Sequence, residues 1–262
     1  MRAKKSYGQH FLHNSHMAEK ISALPDYDAC PRVLEVGPGR GALTRHLVQQ
    51  PIQLKVVEAD RDMVADLKAN SEIEIPHEAI IENDFLKLDL SQLFEGQSFI
   101  LIGNYPYNIS SQILIQMLRN RAYIPEMVGM FQREVADRVQ ASHGSKTYGT
   151  LSVLVQVYYE VRIALKVSPG NFTPPPKVAS AVLQCQRRSV PLFDGPLEDL
   201  QAVVRAIFGQ RRKMLRNSLQ SILPKEALSP FPYLDQRPEQ LSLEDFVRLA
   251  EQFHEWKKSS QQ

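Results

Sequence analysis

The chain is poor in cysteine: Cys30 and Cys185 are the only two, and neither has ligand spacing around it. That argues against a disulfide framework or a zinc site and for reduced, structural thiols in a cytosolic protein. Long hydrophobic runs are also missing. No apolar stretch approaches the roughly 18 residues that a membrane span needs. The basic N-terminus, Met1-Arg2-Ala3-Lys4-Lys5-Ser6-Tyr7-Gly8, leads into no apolar segment, so no signal peptide is expected. Net charge is small, at +2, and any affinity for nucleic acid must come from a local patch. Internal repeats and low-complexity tracts are absent. What remains is 262 residues, 43% hydrophobic and 23% charged, an ordinary globular balance that suits one large domain with a small appendage.

From Arg32 to about Val161, short apolar runs alternate with amphipathic stretches. Val33-Leu34-Glu35-Val36 reads as a buried strand, and residues 54–58, 79–82, 99–102 and 127–131 read as further strands. Helical spacing falls at 42–49, 63–69, 109–118 and 133–141. Strands alternating with helices predict an α/β fold, a doubly wound parallel sheet covered on both faces. Residues 151–167 and 178–187 read as two more strands, with no room between them for a crossover helix. They are expected to pair antiparallel at the sheet edge. Composition changes near residues 190–196. A domain spanning 1–190 is therefore expected, followed by a small all-helical one, 191–262, with helices at 197–208, 210–223 and 243–256.

Glu35-Val36-Gly37-Pro38-Gly39-Arg40-Gly41 closes the first strand and opens a helix. Gly37 and Gly39 let the backbone turn tightly and approach a ligand closely. The spacing is G-x-G-x-G, unlike the G-x-G-x-x-G of dinucleotide sites. Glu58 ends the second strand, where an acid can accept both hydroxyls of a ribose. Asp84, ending the third, can accept from an adenine amine, with Phe85 as an apolar wall. Alone, the glycine loop and Asp84 also read as turn chemistry, and Glu58 as a solvated strand-end carboxylate. Together they mark the carboxyl ends of neighbouring strands, where open α/β sheets bind ligands.

Asn104-Tyr105-Pro106-Tyr107 follows the fourth strand directly. An adenine amine is a poor nucleophile because its lone pair is delocalised into the ring. Acceptors that draw on its hydrogens push the nitrogen toward a tetrahedral, nucleophilic form. The Asn104 side-chain oxygen can be one acceptor. The Tyr105 carbonyl can be the other, since Pro106 biases the residue before it to an extended backbone. Tyr107 offers a face for an extruded base. With S-adenosylmethionine as an activated methyl donor, no metal, nucleophile or general base is needed, and the protein's task is positioning.

These blocks, with Gly8-Gln9-His10-Phe11-Leu12, Phe172-Thr173-Pro174-Pro175-Pro176-Lys177-Val178 and Gln210-Arg211-Arg212-Lys213, run from end to end of the chain. Through them it resembles the bacterial small-subunit rRNA adenine dimethyltransferases. The resemblance implies a Rossmann-like class I methyltransferase domain over 1–190, with 1–31 covering the cofactor, and an RNA-binding domain over 191–262. It implies an S-adenosylmethionine site containing His10, Leu12, Gly37, Glu58, Asp84 and Asn104. It also implies dimethylation of two adjacent adenosines in a hairpin near the 3′ end of 16S rRNA, in the immature 30S subunit. Two positions depart from the common family pattern: His10 replaces Asn and Tyr105 replaces Leu.

Sequence-specific RNA recognition uses splayed bases on aromatics, with phosphates met by Arg and Lys. Phe172 is a candidate second face for the base opposite Tyr107, or else a buried loop anchor. Residues 200–225 hold six basic residues and no acidic one; Arg211, Arg212, Lys213 and Arg216 are the candidate phosphate contacts. Arg2, Lys4 and Lys5 add a candidate basic arm. Alternatives are an erythromycin-resistance type 23S rRNA methyltransferase, an amino-adenine DNA methyltransferase, a nicotinamide dehydrogenase, and a binding factor for immature small subunits. The proline and Gln-Arg-Arg-Lys blocks weigh against the first, and the missing target-recognition region against the second. Loop spacing weighs against the third. A cytoplasmic monomer is expected.

Overall fold

Runs of Val, Ile and Leu make the strands, and the turn residues after them set where each strand stops. The structure is a computed structural model describing residues 10–260; Arg2, Lys4, Lys5, Gly8 and Gln9 lie outside the described residues. The chain forms two compact units, Met1–Ala136 with Arg162–Arg187, and Asp137–Val161 with Arg188–Gln262.

The first unit runs β1 (Phe11–Leu12), α1 (Ser15–Ser22), β2 (Arg32–Val36), α2 (Thr44–Leu47), β3 (Gln53–Glu58), α3 (Arg61–Ala69) and β4 (Ile80–Glu82). It continues with β5 (Ile100–Asn104), α4 (Ser110–Arg119), β6 (Glu126–Gln132) and the start of α5 (Arg133–Gln140). The main sheet has the order β4-β3-β2-β5-β6-β9-β7, where β7 is Tyr159–Val167 and β9 is Ser180–Arg187. β2 pairs parallel with both β3 and β5, β5 pairs parallel with β6, and β9 is antiparallel to β6. Strand order therefore reverses at β2, which puts a crevice at the carboxyl ends of β2 and β5. The glycine loop leaves β2 there, and Asn104 ends β5.

Val33 and Leu34 of β2, like Ile100, Leu101 and Ile102 of β5, are wholly buried although successive side chains point to opposite faces. Both faces of the central strands are therefore covered, as parallel sheets require. One face packs on Ala18 and Ile21 of α1 and Leu47 of α2. Each buried Val, Leu or Ile side chain here contributes about 1.5–3 kcal/mol, so the strand ends that carry the polar motifs rest on a rigid floor. A small second sheet pairs β1 antiparallel with β8 (Phe172–Thr173), setting Leu12 opposite Phe172.

Two expectations need correction. Residues 151–167 are not one strand: Thr150–Gln156 is helix α6, and β7 starts only at Tyr159. Leu151, Val153, Leu154 and Val155 are all buried, so the helix shows no polar face to give it a period. Ser152 starts it by accepting from the Gly149 N–H at 2.9 Å. Residues 210–223 are not one helix either. After α7 (Leu197–Gly209) comes a turn, then only α8 (Leu215–Ser218) and a short 3₁₀ turn. The N–H groups of Leu215 and Arg216 are taken by the carbonyls of Gln236 and Leu234, each at 3.0 Å, and so are unavailable to a helix.

The second unit also differs from the division expected at residue 190, because residues 137–161 group with it. α6 packs on α7, and Gln156 donates to the carbonyls of Val139 and Ala141 at 2.7 and 2.9 Å. α7 packs against α9 (Leu243–Ser259), where buried Asp199 accepts from His254 and Lys257 at 2.6 and 2.8 Å. Phe208 and Phe246 stack at 5.4 Å. No helix among the described residues is long and apolar enough to cross a membrane.

Candidate active site

The crevice at the ends of β2, β3, β4 and β5 is a cavity of about 520 Å³. His10, Leu12, Gly37, Gly39, Glu58, Asp84, Asn104 and Tyr107 all line it.

Gly37 has φ +68°, a left-handed conformation that a side chain disfavours, and an added Cβ would meet nothing within 4 Å. The loop thus leaves open space at its apex while the Gly37 N–H holds the Val57 carbonyl at 2.9 Å. The N–H of Gly39 donates to one oxygen of Glu58 at 3.2 Å, and that of Asp60 to the other at 2.9 Å. Both carboxylate oxygens are oriented by backbone, yet each keeps a lone pair for a ligand hydroxyl. Burial pushes the Glu58 carboxyl above its ordinary range, and these N–H groups, Asp60 first, oppose the rise. Asp84 uses one oxygen to cap the turn after β4, accepting from the Leu86 N–H at 3.0 Å. Its other oxygen lies 3.8 Å from the Lys87 ammonium. Phe11 and Phe85 supply apolar walls, and the Arg40 guanidinium sits 4.7 Å from the centre of the Phe11 ring. Two oriented carboxylates, an open glycine apex and aromatic walls are groups that could hold S-adenosylmethionine, Glu58 at its ribose hydroxyls and Asp84 at its adenine amine.

The Asn104 carboxamide nitrogen donates to the His10 carbonyl at 3.0 Å. The oxygen end of the amide, which can only accept, is left for the cavity. The Tyr105 N–H bonds the Met130 carbonyl at 3.2 Å, tying the tetrapeptide to β6. Its ring is 1% exposed and fills a slot that exists because Gly103 and Gly129 have no side chains. An added Cβ would come within 2.6 Å of the ring at Gly103 and 2.2 Å at Gly129. The ring that stands where the resemblance leads one to expect Leu is thus absorbed in the core, although the residue itself borders the cavity. The Ser110 hydroxyl donates to the Tyr107 carbonyl at 3.0 Å, completing the turn into α4.

Phe172 is not brought to the cavity. It is 2% exposed and packs in the core with Leu12, Ile102 and Met130, so it anchors its loop and presents no stacking face. In the second unit Arg212 and Lys213 are exposed, while Arg211 donates to the Ser145 carbonyl at 3.3 Å. Arg216 forms an ion pair with Asp235.

Glu35 is a buried acid whose part the sequence does not announce. It is 1% exposed and accepts from the Thr44 hydroxyl at 2.7 Å. Burial pushes its carboxyl up to about 8, the Thr44 bond opposes this, and the charge of Glu58 adds to it. A lone acid inside Val33-Leu34-Glu35-Val36 was the available signal.

A family model described as ribosomal RNA adenine dimethylase matches residues 1–255. A ribosomal RNA small subunit methyltransferase A from Phocaeicola vulgatus is 46% identical over 255 residues, covering 96% of this chain and 90% of that protein. The protein so described from Bacteroides thetaiotaomicron is 47% identical over 257 residues, covering 97% and 95%. Among solved structures, a dimethyladenosine transferase from Plasmodium falciparum shares the fold, with a TM-score of 0.76 at 23% identity over 94% of this chain and 98% of that one. The 23S rRNA methyltransferase ErmE gives 0.65 at 25% identity over 93% and 99%. The doubly wound sheet is thus that of the Rossmann-like class I methyltransferases, and the chain belongs to the ribosomal RNA adenine dimethylase family.

Proposed function

We propose that this protein transfers methyl groups from S-adenosylmethionine to the N6 amines of two adjacent adenosines, two methyls on each, in a hairpin near the 3′ end of 16S rRNA. The observation that carries the chemistry is the Asn104 amide, whose nitrogen is committed to the His10 carbonyl. The cofactor supplies a methyl group already activated on a sulfonium. Glu58 holds the ribose hydroxyls and Asp84 the adenine amine, while Gly37 and Gly39 keep the backbone clear. His10 and Leu12 cover the site from the N-terminal side. The Asn104 oxygen and the Tyr105 carbonyl draw on the hydrogens of the target amine, and the Tyr107 ring supports the base. Because nothing on the protein needs to form a bond to the substrate, rate comes from alignment and from these acceptors.

The substrate assignment follows the relatives, described as small-subunit methyltransferases and 45–47% identical over nearly the whole chain. Arg212 and Lys213 are the phosphate contacts this reading favours, with Arg211 partly committed and Arg216 paired to Asp235. We place the reaction in the cytoplasm, on immature small subunits, with the enzyme acting as a monomer and without a metal. The test is methyl transfer from labelled S-adenosylmethionine to unmethylated small and large ribosomal particles side by side. Label in the rRNA of the small particle is expected; label confined to the large particle overturns the assignment.

A further inference from the structure

Tyr107 is held by residues that lie far from it in sequence. Its hydroxyl is 2.6 Å from that of Ser180, at the short end of the range for paired hydroxyls. Its ring centre lies 5.4 Å from that of His10, with the planes 31° apart. Ser180 is 1% exposed and opens β9, where it pairs with Gln132 of β6 inside the main sheet. The neighbouring Ala179 carbonyl accepts from the Arg133 N–H at 2.9 Å. The Ser180 hydroxyl therefore projects from one of the more rigid parts of this unit.

His10 is set by the same stretch of chain. Its Nδ1 is 2.8 Å from the Pro174 carbonyl, which can only accept, so Nδ1 carries the hydrogen. Contacts run from Pro174 to the His10 ring, from that ring to Tyr107, and from the Tyr107 hydroxyl to Ser180. Both ends of the series lie in the segment that begins with the proline block.

A tyrosine ring turns about two side-chain torsions: the first swings its tip, and the second turns the ring plane about the axis that carries the hydroxyl. The hydrogen bond at the tip holds the first torsion, and the His10 ring against one face restrains the second. We propose that Ser180 is a positioning residue for methyl transfer: it fixes where the Tyr107 ring sits, while His10 restrains the plane against which the target adenine rests. The proline-block segment then acts on the chemistry through β9 and His10, whereas Phe172 stays buried in the core. This rests on the reading of Tyr107 as the support of the base.

The test compares Y107F, S180A, the double variant and S180T in single-turnover transfer to small-subunit rRNA, with S-adenosylmethionine affinity measured by calorimetry. Y107F and S180A are each expected to slow transfer about ten-fold, the size of one missing hydrogen bond, while cofactor affinity stays within about two-fold. The double variant is expected to be no slower than the slower single one, and S180T to regain most of the rate. Y107F removes the bond without opening space in β9, so a wild-type rate in Y107F overturns the proposal however S180A behaves. Losses that multiply in the double variant overturn it as well. Ring-labelled tyrosine NMR, with Y107F giving the assignment, reads the clamp without substrate. A Tyr107 signal that shifts or broadens in S180A supports the clamp. An unchanged signal removes it, whichever RNA the enzyme methylates.

Discussion

The side-chain amide of Asn104 donates to the main-chain carbonyl of His10 at 3.0 Å, joining residues 94 positions apart. The two ends of an amide have the same shape, and only a partner that can do nothing but accept decides between them. On the proposed mechanism, the segment that carries His10 thereby also aims the acceptor that would activate the amine.

Replacing Asn104 by Ala is expected nearly to abolish transfer while leaving cofactor affinity within about an order of magnitude, since the acceptor acts on the transition state. Asn104→Asp keeps the shape but faces the His10 carbonyl with a second oxygen, and is expected to lose most of the rate too. Transfer assays paired with calorimetry check both, and a wild-type rate in N104A contradicts the role.

Glu35 predicts a pH dependence of stability. Its folded carboxyl is raised to about 8 by burial, whereas an unfolded glutamate titrates near 4.3. Between those values the folded state holds the extra proton, so stability falls as pH rises from about 4.3 to about 8. Glu35→Gln keeps the acceptor for Thr44 without that proton. The Tm difference between E35Q and wild type is expected to favour the variant more at pH 8 than at pH 5. Equal differences at both pH values contradict the buried neutral acid.

The Tyr105 hydroxyl is buried and has no hydrogen-bond partner among the described residues. Because an unsatisfied buried group costs about 1–3 kcal/mol, Tyr105→Phe is expected to be neutral or to stabilise the fold by up to about that much. Gly129→Ala would place a Cβ 2.2 Å from the Tyr105 ring and 2.8 Å from that of Phe131. It is expected to cost about 1–3 kcal/mol, and less when Tyr105 is also replaced by Leu. Denaturant unfolding of the three variants checks this, and additive costs contradict the slot.

Arg212 and Lys213 are exposed while Arg216 is paired with Asp235. Reversing the charge of the first two is expected to weaken RNA binding and lower the salt slope of log affinity by about 0.7–0.9 for each phosphate no longer neutralised. Reversing Arg216 is expected to change the slope less. Titrations across salt concentrations check it, and an unchanged slope in the double reversal means those side chains are merely solvated.

The place of Glu58, Asp84 and Asn104 at strand ends around one cavity was legible because short apolar runs ended by turn residues mark strand ends. α6 was not legible because Leu151, Val153, Leu154 and Val155 are buried on every side, which erases the helical period. The break after Gly209 was hidden because the carbonyls that stop the helix belong to Leu234 and Gln236. Phe172 beside its prolines reads alike whether covered or open, and only packing separates the two. Ser180 looks like one more small residue in an apolar strand until the fold brings it to Tyr107, 73 positions away.

Nucleoside analysis of small-subunit rRNA after reaction with wild type and N104A tests the central claim most directly. N6,N6-dimethyladenosine with wild type, and unmodified adenosine at those positions with N104A, is the predicted result. Methyl groups on another atom, or undiminished dimethyladenosine with N104A, would contradict it.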